Sequence, residues 1–205
     1  MNQLETYPRF SLDAGTLSLD FANTLEGRRD PKPEENLLDY NAILGFARQA
    51  GLLDNGSIQR LEELAGQRPH EARAVHASAL VLREAIFRTG FALASGRSPD
   101  PDDLHAIEHS LASAIAHGGL APDGEGFTWS WNAAGPQLER PLWPIAFAAF
   151  ELLTREDLSR LRVCAAGDCD WLFFDESRNR SRKWCDMNTC GNRAKVARYR
   201  GRSRE

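Results

Sequence analysis

The chain has 205 residues, 42% of them apolar and 26% charged, with a net charge of −4. That is enough for one medium domain with a real core, or for one domain and a small appendage. No apolar run approaches the length of a membrane span, and the opening MNQLETYPRFSLD lacks the basic and apolar regions of a secretory leader, so the expected compartment is the cytoplasm.

In chain order, Gly15–Leu25 alternates Leu17, Leu19 and Phe21 with Ser18, Asp20 and Ala22, a period of two that predicts a half-buried strand. Asp30-Pro31-Lys32-Pro33 breaks the chain, and the spacing of Leu37, Leu38, Ile43, Leu44 and Phe46 predicts an amphipathic helix from Asn36 to near Gly51. A second helix is expected over Asn55–Ala65, with Ile58, Leu61 and Leu64 on one stripe. A third starts at Pro69 and runs to about Ser95. Asp100-Pro101-Asp102-Asp103 opens a fourth helix, suited to the positive end of its dipole, which Gly118-Gly119 stops after His117. Leu120–Trp131 reads as a hairpin turning at Pro122-Asp-Gly-Glu-Gly126, with Phe127, Trp129 and Trp131 alternating on the returning strand. Pro141–Arg160 is expected to be a fifth helix.

The four cysteines of the chain then follow as Cys164, Cys169, Cys185 and Cys190. Two close pairs can complete a tetrahedral thiolate shell around one structural Zn2+ and leave no open position for a substrate. Two disulfides are the alternative, which the paired spacing, the clustering and the lack of a leader disfavour. Trp171-Leu-Phe-Phe174 is a short strand candidate, and Asn188 or Thr189 can cap a helix whose first turn includes Cys190. Knuckle, hairpin and helix make a treble-clef-like arrangement. The expected fold is α+β: a mainly helical body with a small antiparallel sheet at 1–160, and a C-terminal treble-clef-like zinc finger at 161–205.

Arg162-Val-Cys164, Cys169-Asp-Trp171-Leu-Phe-Phe, Ser177-Arg-Asn179, Trp184-Cys185-Asp-Met and Thr189-Cys-Gly-Asn-Arg-Ala-Lys195 closely resemble the CGNR-type zinc finger, named for the tetrapeptide standing here as Cys190–Arg193. Leu19-Asp-Phe-Ala-Asn-Thr-Leu25 and the helix after Leu37 resemble the ABATE domain of stress-induced transcription regulators. The resemblance implies a bacterial cytoplasmic regulator, not an enzyme, whose zinc finger binds DNA.

The charge is divided along the chain. Residues 160–205 have a balance of +6 and the remainder −10, and ten basic residues against Asp186 alone lie between Ser177 and Arg204. Such asymmetry points to an anionic partner for the basic part. The candidate nucleic-acid contacts are Arg178, Arg180, Arg182, Lys183, Arg193, Lys195, Arg198, Arg200 and Arg202. At about 100° per residue, Arg193 and Arg200 share one helical stripe and Lys195 and Arg198 another, so no single groove contact uses all four. Cations would also stabilise the negatively charged metal centre itself. In that bland reading Arg193 pairs with Asp175 or Glu176, Asn192 bonds local backbone, and Trp171 and Trp184 pack around the metal.

In the body, His105 and His109 at i, i+4 read as surface residues, and no nucleophile elbow, P-loop or dinucleotide fingerprint occurs. Asp20, Asn23, Thr24 and Arg28, with Trp129 and Trp131 of the hairpin, are the candidates for a pocket taking a small-molecule signal. Asn23 and Thr24 capping a local turn is the alternative. The functional expectation is a transcription regulator that contacts DNA through the finger, with a body that senses a ligand or forms a homodimer. RNA binding by the same finger and a protein-interaction adaptor with a purely structural finger are the rival classes.

Overall fold

The computed structural model describes residues 8–131, 136–154 and 157–196. Six helices and three two-stranded antiparallel sheets succeed one another among these residues. Helix α1 is Leu17–Ala22, and strands β1 (Leu25–Glu26) and β2 (Glu34–Glu35) form the first hairpin. Helices α2 (Tyr40–Gln49), α3 (Asn55–Gln67), α4 (Pro69–Ala94) and α5 (Pro101–His117) follow, then hairpin β3 (Gly119–Asp123) and β4 (Gly126–Ser130). Helix α6 is Trp143–Leu153, and β5 (Leu161–Val163) pairs with β6 (Leu172–Phe174).

The helix starts are chemically explicit. The Asp39 carboxylate accepts from the Ala42 N–H at 2.9 Å, Asp54 from Ser57 at 2.9 Å, and Asp100 from Asp102 at 2.9 Å. Each thereby satisfies an amide that the first helical turn leaves without a partner. Pro69 and Pro101 occupy the first turns of α4 and α5, where the missing N–H costs nothing.

Two expected elements differ. The predicted strand at Gly15–Leu25 is helix α1, capped by the Thr16 side chain. Its alternation misleads because Ser18 through Ala22 are all buried, so no solvent face imposes a period. Leu19 packs in a core with the cysteine module while Phe21 packs in the main helical core. The single helix expected over Pro141–Arg160 is broken. A 3-10 turn at Arg140–Leu142 leads into α6, the Thr154 hydroxyl donates back to Phe150 O at 2.8 Å, and a second 3-10 turn spans Leu158–Arg160.

The main core gathers Phe21, Ile43, Leu44, Phe46, Leu82 and Ile145 from α1, α2, α4 and α6, with Leu37 from the segment before α2. A second core joins Ala14, Leu19 and Leu152 to Leu161, Leu172, Phe173 and the four cysteines, so packing crosses the compositional boundary near residue 160. Hydrogen bonds cross it too. The Asn23 amide donates to Leu172 O at 2.8 Å and accepts from Leu172 N–H at 3.0 Å, and the Phe174 N–H donates to Ala14 O at 2.7 Å. Two glycines permit the approach. Gly15, at φ +86°, would place a Cβ 3.0 Å from Phe174 O, and a Cβ on Gly90 of α4 would lie 2.8 Å from Leu172 Cδ1. Strand β6 is thus held between α1 and α4.

The β1–β2 hairpin is fastened to α4 by charge. Buried Arg83 donates to Glu35 at 2.8 Å, while Arg28 donates to Glu84 at 2.6 Å and lies over the Phe87 ring at 3.8 Å.

Stability should report on two of these buried polar groups. Asn23→Ala strips both partners from the buried Leu172 peptide groups and should cost about 2–4 kcal/mol in urea unfolding. Burial raises the Asp20 carboxyl from 3.8 to about 7, opposed by the Ala14 N–H that it accepts and reinforced by nearby Asp13. The folded protein therefore holds a proton at Asp20 that the unfolded chain has released. This contribution is full below the unfolded value and declines as pH rises towards 7. Asp20→Asn keeps an acceptor for Ala14 and removes the titration, so it should gain about 2–3 kcal/mol relative to the wild type between pH 5 and pH 8.

Candidate metal centre

The four cysteines meet where the β5–β6 connection faces a turn near the end of the chain. Cys164 directly follows β5, and its N–H donates to Trp171 O at 2.9 Å, closing a knuckle that contains Cys169. The Ala165 N–H donates to Lys183 O at 2.9 Å and brings the second cysteine pair alongside. Cys185 precedes a wide helical turn at Met187–Gly191 that carries Cys190 and continues as helix over 192–196. The cap is Asp186, rather than Asn188 or Thr189: its carboxylate accepts from the Asn188 N–H at 2.9 Å and the Thr189 N–H at 3.0 Å.

All four Sγ atoms are buried and lie within 4.8 Å of one another. Cys169 and Cys185 are separated by 3.7 Å, and Cys185 and Cys190 by 3.6 Å. A tetrahedral zinc–thiolate shell with bonds of about 2.3 Å has sulfur–sulfur edges of about 3.8 Å, so the donor set fits. The spacing is far from a disulfide bond, near 2 Å, and all four cysteines are free. The bare thiols cannot all ionise in this nest. Hydrogen bonds from Cys169 and Cys185, with the Cys185 N–H, hold Cys164 well below the usual thiol range. The bond to Cys164 pushes Cys169 up to about 12, and bonds to Cys164 and Cys169 drive Cys185 upward as well. Only a cation lets four thiolates coexist here. The Cys185 N–H donates to Cys164 Sγ at 3.5 Å, which favours the ionised Cys164 sulfur, and Arg193 donates to Cys190 Sγ at 3.0 Å.

The predicted basic contacts separate into two groups. Arg182 is used inside the fold: it donates to Trp184 O, Cys185 O and Asp13 O and lies over the Phe173 ring at 4.6 Å. Arg180 pairs with Asp157 at 2.7 Å, and Arg193 pairs with Asp168 at 2.9 Å, not with Asp175 or Glu176. Buried Asp175 instead accepts from the Ser177 and Arg182 N–H groups and shapes the loop between them. Arg178, Lys183 and Lys195 are exposed and have no side-chain partner among the described residues. Arg198, Arg200 and Arg202 lie outside the described residues. Asn192 donates to Asn188 O at 2.9 Å, and Trp171 and Trp184 pack on the cysteine core.

The side chains of the proposed pocket residues are engaged within the fold, some locally and some across the chain. Asp20 accepts from Ala14, Asn23 holds Leu172, Thr24 donates to Phe21 O and Arg28 holds Glu84. Trp129 stacks on Phe147 with centroids 6.0 Å apart, and the Trp131 indole donates to Ala114 O at 2.7 Å. His105 and His109 are exposed, and the cysteine tetrad is the one metal-compatible group of three or more ligands among the described residues. No described helix is long and apolar enough to cross a membrane.

A buried four-cysteine knuckle followed by a helical turn defines the C-terminal segment as a zinc-finger module. Residues 160–203 match the CGNR zinc finger, and residues 15–156 match ABATE, described as "Putative stress-induced transcription regulator". The chain belongs to the ABATE family and carries a CGNR zinc finger at its C-terminal end, and both are regulator or zinc-finger types, not enzyme families. Among curated proteins none matches the chain significantly. The four cysteines are the site of one structural zinc, held by Cys164, Cys169, Cys185 and Cys190.

Removing a ligand should therefore affect both cores. Cys190→Ser should lose stoichiometric zinc, measured by metal analysis of the purified protein. It should lower Tm by roughly 10–20 °C if about 5 kcal/mol of metal binding energy is forfeited. Because Leu172 and Phe173 pack with Leu19 and Leu152, the helical signal should fall together with the cysteine module. A body transition at the wild-type Tm would mean the shared core contributes little.

Proposed function

We propose that this protein is a transcription regulator that contacts DNA through its zinc module, 161–205, while the helical body, 1–160, supplies sensing or homodimerisation. The reading is carried by the exposed Arg178, Lys183 and Lys195, which have no side-chain partner among the described residues although acidic residues are abundant in the chain. Unpaired cations on a rigid, metal-held module suit a phosphate backbone, where contact releases counterions. Arg180 is half exposed and can add a contact by exchanging Asp157 for a phosphate. Arg198, Arg200 and Arg202 extend the same charge by sequence alone.

Phosphate contacts position a protein on DNA without specifying sequence. A module this short reads few bases, so target recognition would need two copies on a two-fold site. The acidic body would repel the duplex and confine contact to the zinc module.

The test is binding of the zinc-loaded full chain to mixed-sequence duplex DNA across a salt series. With four or five phosphates contacted, log K should fall with log salt at a slope of roughly −4. Replacing Arg178, Lys183 and Lys195 together by Glu should abolish binding at moderate salt while leaving zinc content and Tm unchanged. Tighter binding to a structured RNA at matched salt would move the reading to RNA. An unaltered affinity in the triple variant would move the contact to other residues, and no binding even at low salt would leave the module a structural or protein-docking element.

A further inference from the structure

Between the β1–β2 hairpin and the zinc module lies a cleft of about 970 Å3, lined on one side by Glu26, Asp30 and Glu34 and on the other by Asp168, Asp170 and Trp171. Three of the cysteines, Cys169, Cys185 and Cys190, also border it. Its charge is one-sided. Of the two cations on its walls, Arg193 is already engaged by Cys190 and Asp168, which leaves Lys32 against the remaining carboxylates.

Glu26, Asp30, Glu34 and Asp168 are exposed, but two observations set the cleft apart from an ordinary solvated face. Asp170 is only 3% exposed, and neither of its carboxylate oxygens has a hydrogen-bond partner. A buried carboxylate without donors is costly unless a cation completes it. Independently, Glu26 and Glu34 stand directly opposite each other in the β1–β2 register, where like charges destabilise a strand pair. Partial desolvation and then the charge of Glu34 raise the Glu26 carboxyl above its usual range. The alternate residue, Glu35, faces the other way and is neutralised by Arg83, so the hairpin places an ion-paired acid inward and two acids without a cationic partner towards the cleft, Glu26 accepting only from the Asn36 amide at 3.4 Å.

We propose that this cleft is a binding site for a small extended organic polycation, a linear amine with two or more cationic centres. A single bare metal ion does not fit: among the described residues, the cysteines alone bring three or more ligand atoms within metal-binding reach. The carboxylates are instead spread from the hairpin across to the zinc module, matching separated ammonium groups. Trp171 supplies an aromatic wall for the alkyl stem or for a cation. The volume is in the usual range for small-molecule sites. One ammonium would meet Asp170 at the back of the cleft and another would sit between Glu26 and Glu34. The occupant would tie the hairpin to the zinc module without displacing any ligand of the metal.

Spermidine is the probe, added to the zinc-loaded full chain at physiological ionic strength with thermal unfolding and calorimetric titration as readouts. No nucleic acid is present, so the result is independent of the DNA reading. Binding at one site per chain and a Tm rise of roughly 3–5 °C at about tenfold excess over Kd are expected. Asp170→Asn preserves the side-chain shape and should weaken binding about tenfold or more. Glu34→Gln, on the exposed hairpin, should weaken it as well and decides the matter if Asp170→Asn fails to fold. An absent shift would overturn the proposal. So would an equal shift from magnesium chloride at matched ionic strength, or wild-type affinity in a folded Asp170→Asn and in Glu34→Gln.

Discussion

Four thiols buried within 4.8 Å of one another form the constraint on which the C-terminal architecture rests. Without a cation they cannot all be thiolates, and the knuckle keeps only its backbone hydrogen bonds and the packing of Leu172 and Phe173. With the metal in place, the knuckle turns β5 back as β6 at a fixed register, Val163 opposite Leu172 and Leu161 opposite Phe174. Leu172 is then the residue that the Asn23 amide grips through both of its peptide groups. The zinc module is therefore one wall of a core whose other walls are α1 and α4, not an appendage on a finished domain.

That arrangement explains which parts of the fold were legible in the sequence. Helices α2 to α5 carry their own punctuation, with Asp39, Asp54 and Asp100 as caps and Pro69 and Pro101 in first turns. Their existence needs little from the rest of the molecule. Helix α1 has a cap in Thr16 but no helical pattern behind it: buried between two cores, it shows neither a polar face nor a helical period. The break after α6 was hidden for a related reason, since a continuous Ala- and Phe-rich run gives no warning of the end at Thr154, whose hydroxyl bonds back to Phe150 O. The zinc ligands were legible because their chemistry demands close pairs. The cleft was not, because Glu26 and Asp170 come from opposite ends of the chain and meet only after folding.

Counting charges overstated the basic surface for a physical reason. Arginine is also a structural residue, able to thread a carbonyl-rich turn and stack on a ring at once. Arg182 does both, holding the Trp184 and Cys185 carbonyls while covering Phe173 and reaching Asp13 in the body. Arg193 serves the metal centre through Cys190. What remains outward among the described cations of the module, Arg178, Lys183 and Lys195, is a smaller set than the composition suggests. It is the set on which the proposed DNA contact rests.

Helix α4 links the zinc module to the acidic cleft. Near its middle, Arg83 and Glu84 anchor the β1–β2 hairpin through Glu35 and Arg28. Two turns further on, Gly90 receives Leu172 of β6. Both walls of the cleft are thus seated on one helix of 26 residues, and the helix is rigid over the short span between the two attachments. A cleft built in this way is preformed. Closing it on a ligand requires little ordering of the backbone, so the attraction of its carboxylates is not consumed in assembling the site. The same helix sets a limit on the cleft's reach: a cation bound there can tighten the hairpin against the zinc module, but it cannot pull β6 away from α1 without breaking the Asn23 contact.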